Sequence, residues 1–364
     1  MSGFHAECGR RGLVENPTKS FDLELSATAL GMEVHEGVAL LPRSSRVCDL
    51  LAGSIDLLEG ATASPLELAS FGGVVQWHNL VNRPLFSCLH EYYAFVRQPE
   101  EKTERAVPAC VLSELALNVG LLALWSTDLT RPWLPCMPAT DASGSYGFGY
   151  CLAPCSPELA REVAAHAAGH DHHIRLTLAA GDPAELPRAG RELRLPLRRS
   201  DFKRVLAVRA KKADHSGALE ASAVVLGMRR LARRQRWHRH RGVFLVDAQA
   251  VLAALQKGRS SAPTLRHPVK QAGAISLACG WRWRYAYLPS ESNPADDPSR
   301  GVKPKVRQRK TGKDLRCPVL NKLCGRTRQA LRVLRRDHRV RDWHDDGLPW
   351  PLTSDSDSCA ACLL

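Results

Sequence analysis

The sequence contains no hydrophobic run long enough to cross a lipid bilayer. The longest mostly apolar stretch, residues 115–125, is well short of the roughly 20 residues that a membrane-spanning helix needs. The first residues also lack a charged start followed by an apolar stretch, so no secretory signal is predicted. We therefore expect an intracellular protein, cytoplasmic or nuclear, that is neither secreted nor bound to a membrane.

The 12 cysteines do not form a regular framework. Because nothing else in the sequence indicates secretion, we expect them to be reduced thiols. Two pairs near the C-terminus, Cys317 with Cys324 and Cys359 with Cys362, would supply the four ligands of a zinc site. A long segment separates the two pairs, which disfavours that interpretation.

Acidic residues are scarce relative to basic ones. The chain has 37 Asp and Glu against 51 Lys and Arg, which gives its 364 residues a net charge of +14. This excess favours a polyanionic partner, because each cation placed on a phosphate releases condensed counterions. A basic but inert surface, or a basic disordered tail, would give the same composition. The length is that of about two domains, and the 44% hydrophobic content excludes a wholly disordered chain.

The order of predicted elements indicates an α/β domain that follows a mostly helical region. Short strands are predicted at 21–25 and 32–41, punctuated by Gly31 and by a turn at His35-Glu36-Gly37. Residues 46–130 are predicted to be helical, with a helix start at Ser64. From residue 135 the pattern is that of strands, and residues 153–200 are predicted to be a long loop or insertion. After it we predict a strand at 202–208, a helix at 217–234, a buried strand at 242–247, helices at 248–257 and 268–279, and a strand at 281–288. This order predicts a mixed sheet with flanking helices.

Four acidic residues occupy informative places in these elements. Asp141 ends the first strand, Glu220 lies near the start of the long helix, Asp247 closes the buried strand, and Asp296 lies in a turn-rich segment near residue 300. Taken singly, each is typical of a helix cap, a turn or a solvated helix face. Gathered at one sheet edge, four carboxylates would repel one another unless cations lay between them. Two divalent ions about 4 Å apart would meet that need, and they suit phosphodiester hydrolysis.

Residues 135–301 resemble the ribonuclease H domain of a retrotransposon reverse transcriptase. Thr140-Asp141-Ala142-Ser143 is similar to the first-strand motif of those domains, and His215-Ser-Gly-Ala-Leu-Glu220 to the segment that carries the helical glutamate. Asp247-Ala-Gln-Ala-Val and Lys257-Gly-Arg-Ser-Ser261 are similar to the third acidic element and the loop after it. The most distinctive match is the closing motif Asn293-Pro-Ala-Asp296-Asp-Pro-Ser-Arg300.

The resemblance implies that Asp141, Glu220, Asp247 and Asp296 are catalytic metal ligands. They would hold two Mg²⁺ ions, with Mn²⁺ as an alternative, and cut the RNA strand of an RNA–DNA hybrid, which is recognised by its 2′-hydroxyls and groove shape. In this alignment Asp296 is the ligand and Asp297 its variable neighbour. The histidine that many family members carry between the last strand and the last helix is missing between Tyr285 and Arg300.

The resemblance extends upstream and sets the domain boundaries. Residues 12–19, 29–34 and 66–77 are similar to the end of a reverse-transcriptase palm, its primer-grip hairpin and a thumb helix, as in DIRS-type and related long-terminal-repeat elements. We therefore expect a palm remnant at 1–45, a helical thumb/connection region at 46–130, a ribonuclease H-like α/β domain at 131–301 with an insertion near 153–200, and a basic, largely disordered tail at 302–364. No Tyr-x-Asp-Asp turn is present, so polymerase activity is not expected from this chain alone.

Two groups of residues are candidates for contact with an RNA–DNA hybrid or another nucleic acid. The first group, Lys257, Arg259 and Ser260, lies in the loop after the third acidic element. The second group, Arg229, Arg230 and Arg233, forms a basic ridge on the long helix. The alternative for the ridge is a solvated helix face. For the whole chain, the alternative function is that of a catalytically inactive retroelement remnant that only binds nucleic acid. Whether a separate polymerase subunit is a partner is left open by the sequence.

Overall fold

The structure is a computed structural model that describes residues 9–12, 24–29, 31–98, 102–169, 171–211 and 214–303. The chain divides into two units, residues 1–303 and 304–364. Every described residue belongs to the first unit. The predicted tail beyond Lys303, the C-terminal cysteine pairs and most of the palm-like segment at 12–19 lie outside the described residues.

A small antiparallel sheet opens the described part of the chain. Its strands are paired in the order β1–β2–β3–β6 and comprise Ala27–Ala29 (β1), Met32–His35 (β2), Ala39–Pro42 (β3) and Thr127–Asp128 (β6). The turn predicted at His35-Glu36-Gly37 is confirmed, because it separates β2 from β3. Glu36 and Gly37 both adopt positive φ there, which reverses the chain direction.

Helices fill the region between the third and sixth strands, as the sequence predicted. They are Ser44–Gly60 (α1), Pro65–Asn79 (α2), His90–Phe95 (α3) and Ala109–Gly120 (α4), with a 3₁₀ segment at Leu80–Cys88 and a short strand pair, Thr62–Ala63 (β4) with Arg105–Ala106 (β5). The predicted start of α2 is confirmed, because Ser64 and Glu67 form a capping box. Gly72 allows α2 to approach Tyr92, since a Cβ there would lie 1.9 Å from the Tyr92 hydroxyl.

The second half of the unit is built on a five-stranded mixed sheet. Its strands are Cys136–Ala142 (β7), Gly147–Pro154 (β8), Lys203–Arg209 (β11), Arg241–Val246 (β12) and Arg282–Tyr287 (β13), in the order β11–β8–β7–β12–β13. The first two pairings are antiparallel, whereas β7 with β12 and β12 with β13 are parallel. This confirms the predicted α/β class and mixed sheet.

Both faces of the sheet are covered, because alternate strand residues point to opposite sides. One face packs against the helix Pro157–His166 (α5) and the parallel strand pair His173–Leu176 (β9) and Glu192–Leu195 (β10). The other face packs against the helix Ser216–Ala232 (α6), where Gly227 makes room for the rings of Tyr150 and Phe244. The remaining helices are Gln249–Lys257 (α7), Pro263–Ala278 (α8) and Asp296–Ser299 (α9).

The prediction of a long loop at 153–200 is wrong. The segment contains α5, β9 and β10, because Ser156 caps a helix whose first residue is Pro157 and whose Ala160, Val163 and Ala164 are buried at helical spacing. The helix predicted at 268–279 begins earlier, since Pro263 occupies its first position, where a missing N–H carries no penalty. Among the helices that the structure describes, none has the length and apolar character of a membrane span.

Candidate metal centre

Three carboxylates from three separate elements meet at one edge of the mixed sheet. Asp141 is the penultimate residue of β7, Asp247 follows β12 directly, and Glu220 lies in the second turn of α6. One oxygen from each carboxylate lies within 4.8 Å of the others. The fold dictates this meeting: β7 and β12 are parallel neighbours, so their carboxyl ends share an edge, and α6 packs across β7.

Burial makes this group of carboxylates electrostatically unfavourable in the absence of a cation. Asp141 is only 5% exposed, and Glu220 and Asp247 are partly buried. Burial, followed by the negative charges of Asp247 and Asp141, raises the pKa of Glu220 to about 9. Burial, followed by the charge of Asp247, also raises the pKa of Asp141. The three side chains therefore cannot all be ionised at neutral pH unless positive charge is supplied between them.

The donor set fits a hard divalent cation. Within the described residues, the Oδ1 atom of Asp247 is buried and has no hydrogen-bond partner. An oxygen left this way in a folded protein calls for a ligand, because an unpaired buried acceptor is costly. Carboxylate oxygens are the ligands that Mg²⁺ and Mn²⁺ prefer, so Asp141, Glu220 and Asp247 form a site of the right chemistry for either ion.

The closing motif is locked beside Asp141 by its own side chains. Asn293 is fully buried; its Nδ2 donates to the carbonyl oxygen of Thr140 at 2.9 Å, and its Oδ1 accepts from the Ala295 amide at 3.0 Å. The hydroxyl of Ser299, also fully buried, donates to the carboxylate of Asp141. This hydrogen bond lowers the pKa of Asp141, against the larger opposing effect of burial.

A glycine on the neighbouring strand admits this segment. A Cβ at Gly149 would lie 2.2 Å from the carbonyl oxygen of Ala295 and 2.7 Å from the Ser299 amide nitrogen. Any side chain at Gly149 would therefore push α9 away from the sheet edge. The sequence motif identified Asn293 and Ser299 as parts of a pattern, but it gave them no role, and nothing in it pointed to Gly149.

Asp296 lies beside the three carboxylates without joining them. Its Oδ1 accepts a hydrogen bond from the Nε of Arg300 at 2.8 Å. Its charge still contributes to the raised pKa of Asp141 and of Glu220. Its neighbour Asp297 is exposed, and the Oδ2 atom of Asp297 lies 3.9 Å from the Nη2 atom of Arg199. The role of Asp296 as a fourth metal ligand stays a prediction.

The six basic and hydroxyl residues predicted to contact nucleic acid lie a helix length from the carboxylates. α7 begins next to Asp247 and has 9 residues, so its far end is roughly 14 Å away along the axis at 1.5 Å per residue. At or beyond that far end lie Lys257, Arg259 and Ser260. On the C-terminal half of α6, Arg229 is exposed and Arg230 is partly buried, and Arg233, directly after the helix, is exposed. Their contact with nucleic acid stays a prediction.

Comparison with known proteins adds little to this geometry. No protein-family model matches the sequence, and no curated protein matches it. Among solved structures, the chain is similar to the foamy viral protease-reverse transcriptase in complex with an RNA/DNA hybrid, with 10% identity and a TM-score of 0.24. The match covers 83% of this chain, which spans 57% of that one. A likeness this weak carries no argument about function.

Proposed function

We propose that the protein is a metal-dependent endonuclease that hydrolyses the RNA strand of RNA–DNA hybrids, as in the ribonuclease H domains that its sequence resembles. The observation that carries this proposal is the convergence of Asp141, Glu220 and Asp247, from β7, α6 and the end of β12, at one sheet edge. Three carboxylates held this close, with a raised pKa at Asp141 and Glu220, have the charge and the oxygen ligands that a divalent-metal site needs.

The ions proposed are two Mg²⁺, with Mn²⁺ able to replace them, and Asp296 would complete the ligand set from α9. When bound, they would supply the positive charge that phosphodiester hydrolysis needs at the attacking and leaving oxygens. The protein's own residues set the geometry. Ser299 orients the Asp141 carboxylate, and Asn293 fixes the closing motif against β7, so the ligands are held before the substrate arrives.

The test is cleavage of a strand-labelled RNA–DNA hybrid by the full chain, with Mg²⁺, with Mn²⁺ and with a chelator. We expect metal-dependent cutting of the RNA strand only, and its loss in both Asp141→Asn and Asp247→Asn. Asp297→Asn is the matched control, because its carboxylate is exposed and faces Arg199. Cutting that persists in both site variants, or that proceeds in chelator, would contradict the proposal.

The ligand role of Asp296 has its own test. Asp296→Asn removes the charge but keeps the side-chain oxygen that faces Arg300. If Asp296 binds metal, the variant will need a higher Mg²⁺ concentration for half-maximal cleavage. An unchanged Mg²⁺ dependence would leave Asp296 as a partner of Arg300 only.

The ion pair between Asp296 and Arg300 favours a second candidate function. It leaves three carboxylates grouped instead of the four that the motif predicts, which is compatible with an inactive domain that only binds nucleic acid through its net charge of +14. Tight, salt-sensitive binding of the hybrid without cleavage would support this alternative. Under either function, we propose that the chain derives from a retroelement and does not polymerise DNA alone.

A further inference from the structure

A cavity of about 550 Å³ lies between the helical region and the mixed-sheet domain. One wall comes from the end of the 3₁₀ segment and from α3 with the residues just after it, and the other from one face of α7, the loop after it and the start of α8. The cavity runs along one face of α7 from Ala250 to Lys257, and none of the three grouped carboxylates lines it.

The charges in this cavity are of one sign. Arg97, Lys257, Arg259 and Arg266 line it, and none of its described lining residues is acidic. Across the described chain, none of these four cations has a carboxylate within 4.0 Å, although Arg188, Arg194 and other arginines of the same chain do. The cavity therefore concentrates positive charge that no described residue of the protein neutralises.

The loop that carries Arg259 is held in one conformation. Gly258 ends α7 with a φ of 73°, and a Cβ there would lie 2.1 Å from the carbonyl oxygen of Arg83, so this position requires glycine. The Arg259 amide then donates to the carbonyl of Ala254 at 3.1 Å. The loop is thus fixed both to its own helix and to the helical region.

Aromatic rings fix the guanidinium of Arg259 in turn. It lies 4.8 Å from the ring centroid of Tyr93 and 5.4 Å from that of Phe86, which is cation–π distance. Arg97 is close enough to Tyr93 to oppose the rise in pKa that burial causes there. Two arginines from different parts of the chain therefore converge on one aromatic wall.

Further hydrogen-bonding side chains line the same space. Arg266 is one of them: its Nη2 donates to the carbonyl oxygen of Ser261 at 3.4 Å, and its Nε is buried without a partner within the described residues. The hydroxyls of Ser260 and Ser261 also line the cavity. Guanidinium groups match phosphate oxygens with paired hydrogen bonds, and hydroxyl groups add further donors.

We propose that this cavity is a phosphate-binding site, built jointly by Arg97 of the helical region and by Lys257, Arg259 and Arg266 of the mixed-sheet domain. The phosphate would belong either to a nucleic-acid backbone or to a free phosphate ligand, and the site requires no catalysis at the carboxylates. A bound phosphate would connect the two regions, because its ligands come from both.

The test uses the full chain in the Asp141→Asn background, so that binding is measured without cleavage. One arm follows a fluorescent RNA–DNA hybrid by anisotropy across a salt series, and the other follows inorganic pyrophosphate by calorimetry. The variants are Arg97→Ala, Arg259→Ala and Arg259→Lys, and the matched control is Arg46→Ala, which removes an exposed arginine of α1 that faces Asp49.

We expect Arg97→Ala and Arg259→Ala to weaken binding about ten-fold, the effect of losing one charge-assisted hydrogen bond. If the ligand is a backbone phosphate, each will also reduce the slope of log affinity against log salt by about one. If it is a free phosphate ligand, only pyrophosphate binding will weaken. Arg259→Lys should retain part of the affinity, because it keeps the charge and loses the paired donors.

The proposal is overturned if neither ligand distinguishes these variants from Arg46→Ala. Arg97→Ala decides the case if Arg259→Ala fails to fold, because Arg97 is exposed and Arg259 packs on two rings. If phosphate binding depends on Arg97 and Arg259 but the wild-type protein cleaves no hybrid, the phosphate site is supported and only the proposed nuclease activity is refuted.

Discussion

Replacing Glu220 by glutamine should stabilise the metal-free protein at neutral pH. Burial and the charges of Asp247 and Asp141 raise the pKa of Glu220 from 4.5 to about 9. The folded protein therefore holds a proton on Glu220 at pH 7 that the unfolded chain has released. At 1.36 kcal/mol per pH unit over roughly 2.5 units, taking up that proton costs about 3 kcal/mol. Glutamine mimics the protonated side chain and removes the cost.

The sign of the pH dependence follows from the direction of the shift. Between pH 4.5 and about 9 the folded state binds more protons at Glu220 than the unfolded state does, so this group lowers stability as the pH rises. The advantage of Glu220→Gln should be close to zero near pH 4.5, reach about 3 kcal/mol at pH 7, and level off above pH 9.

Urea denaturation in chelator, at several pH values, measures this difference. The matched control is Glu162→Gln, on the exposed face of α5, for which we expect no such trend. A stability difference that is the same at every pH would contradict a raised pKa at Glu220, because packing changes do not depend on the protonation of that side chain. A variant less stable than wild type at pH 7 would refute it as well.

Three further predictions concern the same site. Mg²⁺ at a hundred times its dissociation constant should raise the unfolding free energy of the wild-type protein by about 2.7 kcal/mol, as measured by denaturation. At the same Mg²⁺ concentration Glu220→Gln should gain less. Equal gains in the two proteins would mean that the ion binds elsewhere. Asn293→Ala should cost about 1–3 kcal/mol, because it leaves the buried carbonyl of Thr140 without its donor, and a cost below that in urea denaturation would contradict the anchoring role. Gly149→Ala should cost about 1–3 kcal/mol and impair cleavage, because its methyl group would meet the carbonyl oxygen of Ala295. Its control, Gly144→Ala, meets nothing within 4 Å and should keep cleavage.

Local patterns in the sequence were sufficient for most of the elements. The alternation and apolar runs of β7, β12 and β13 and the helical spacing in α6 predicted each of them to within a few residues. The capping box at Ser64 did the same for α2. These signals are local, because side-chain periodicity and caps act within one element. The elements within 153–200 were not predicted, because the helix there is short and its two strands pair only with each other. The composition of the segment therefore resembled that of a loop.

The sequence also led us to expect that acidic residues at the ends of strands and on the long helix would gather at one sheet edge, and three of the four do so. Which of these carboxylates lie together depends on how the folded elements pack. Asp141, Glu220 and Asp247 converge, whereas Asp296 faces Arg300, one turn along its own helix. Distances between side chains depend on packing between distant segments, which no local pattern encodes.

The basic residues also show the difference between what a local sequence pattern predicts and what depends on packing between distant segments. The excess of positive charge and the loop that carries Lys257 and Arg259 can both be read directly from the residues. No sequence pattern indicated that the loop faces Arg97 across a cavity that none of the three grouped carboxylates lines. That position depends on Gly258 packing against the backbone of Arg83, some 170 residues earlier in the chain, a contact that exists only after the two regions fold together.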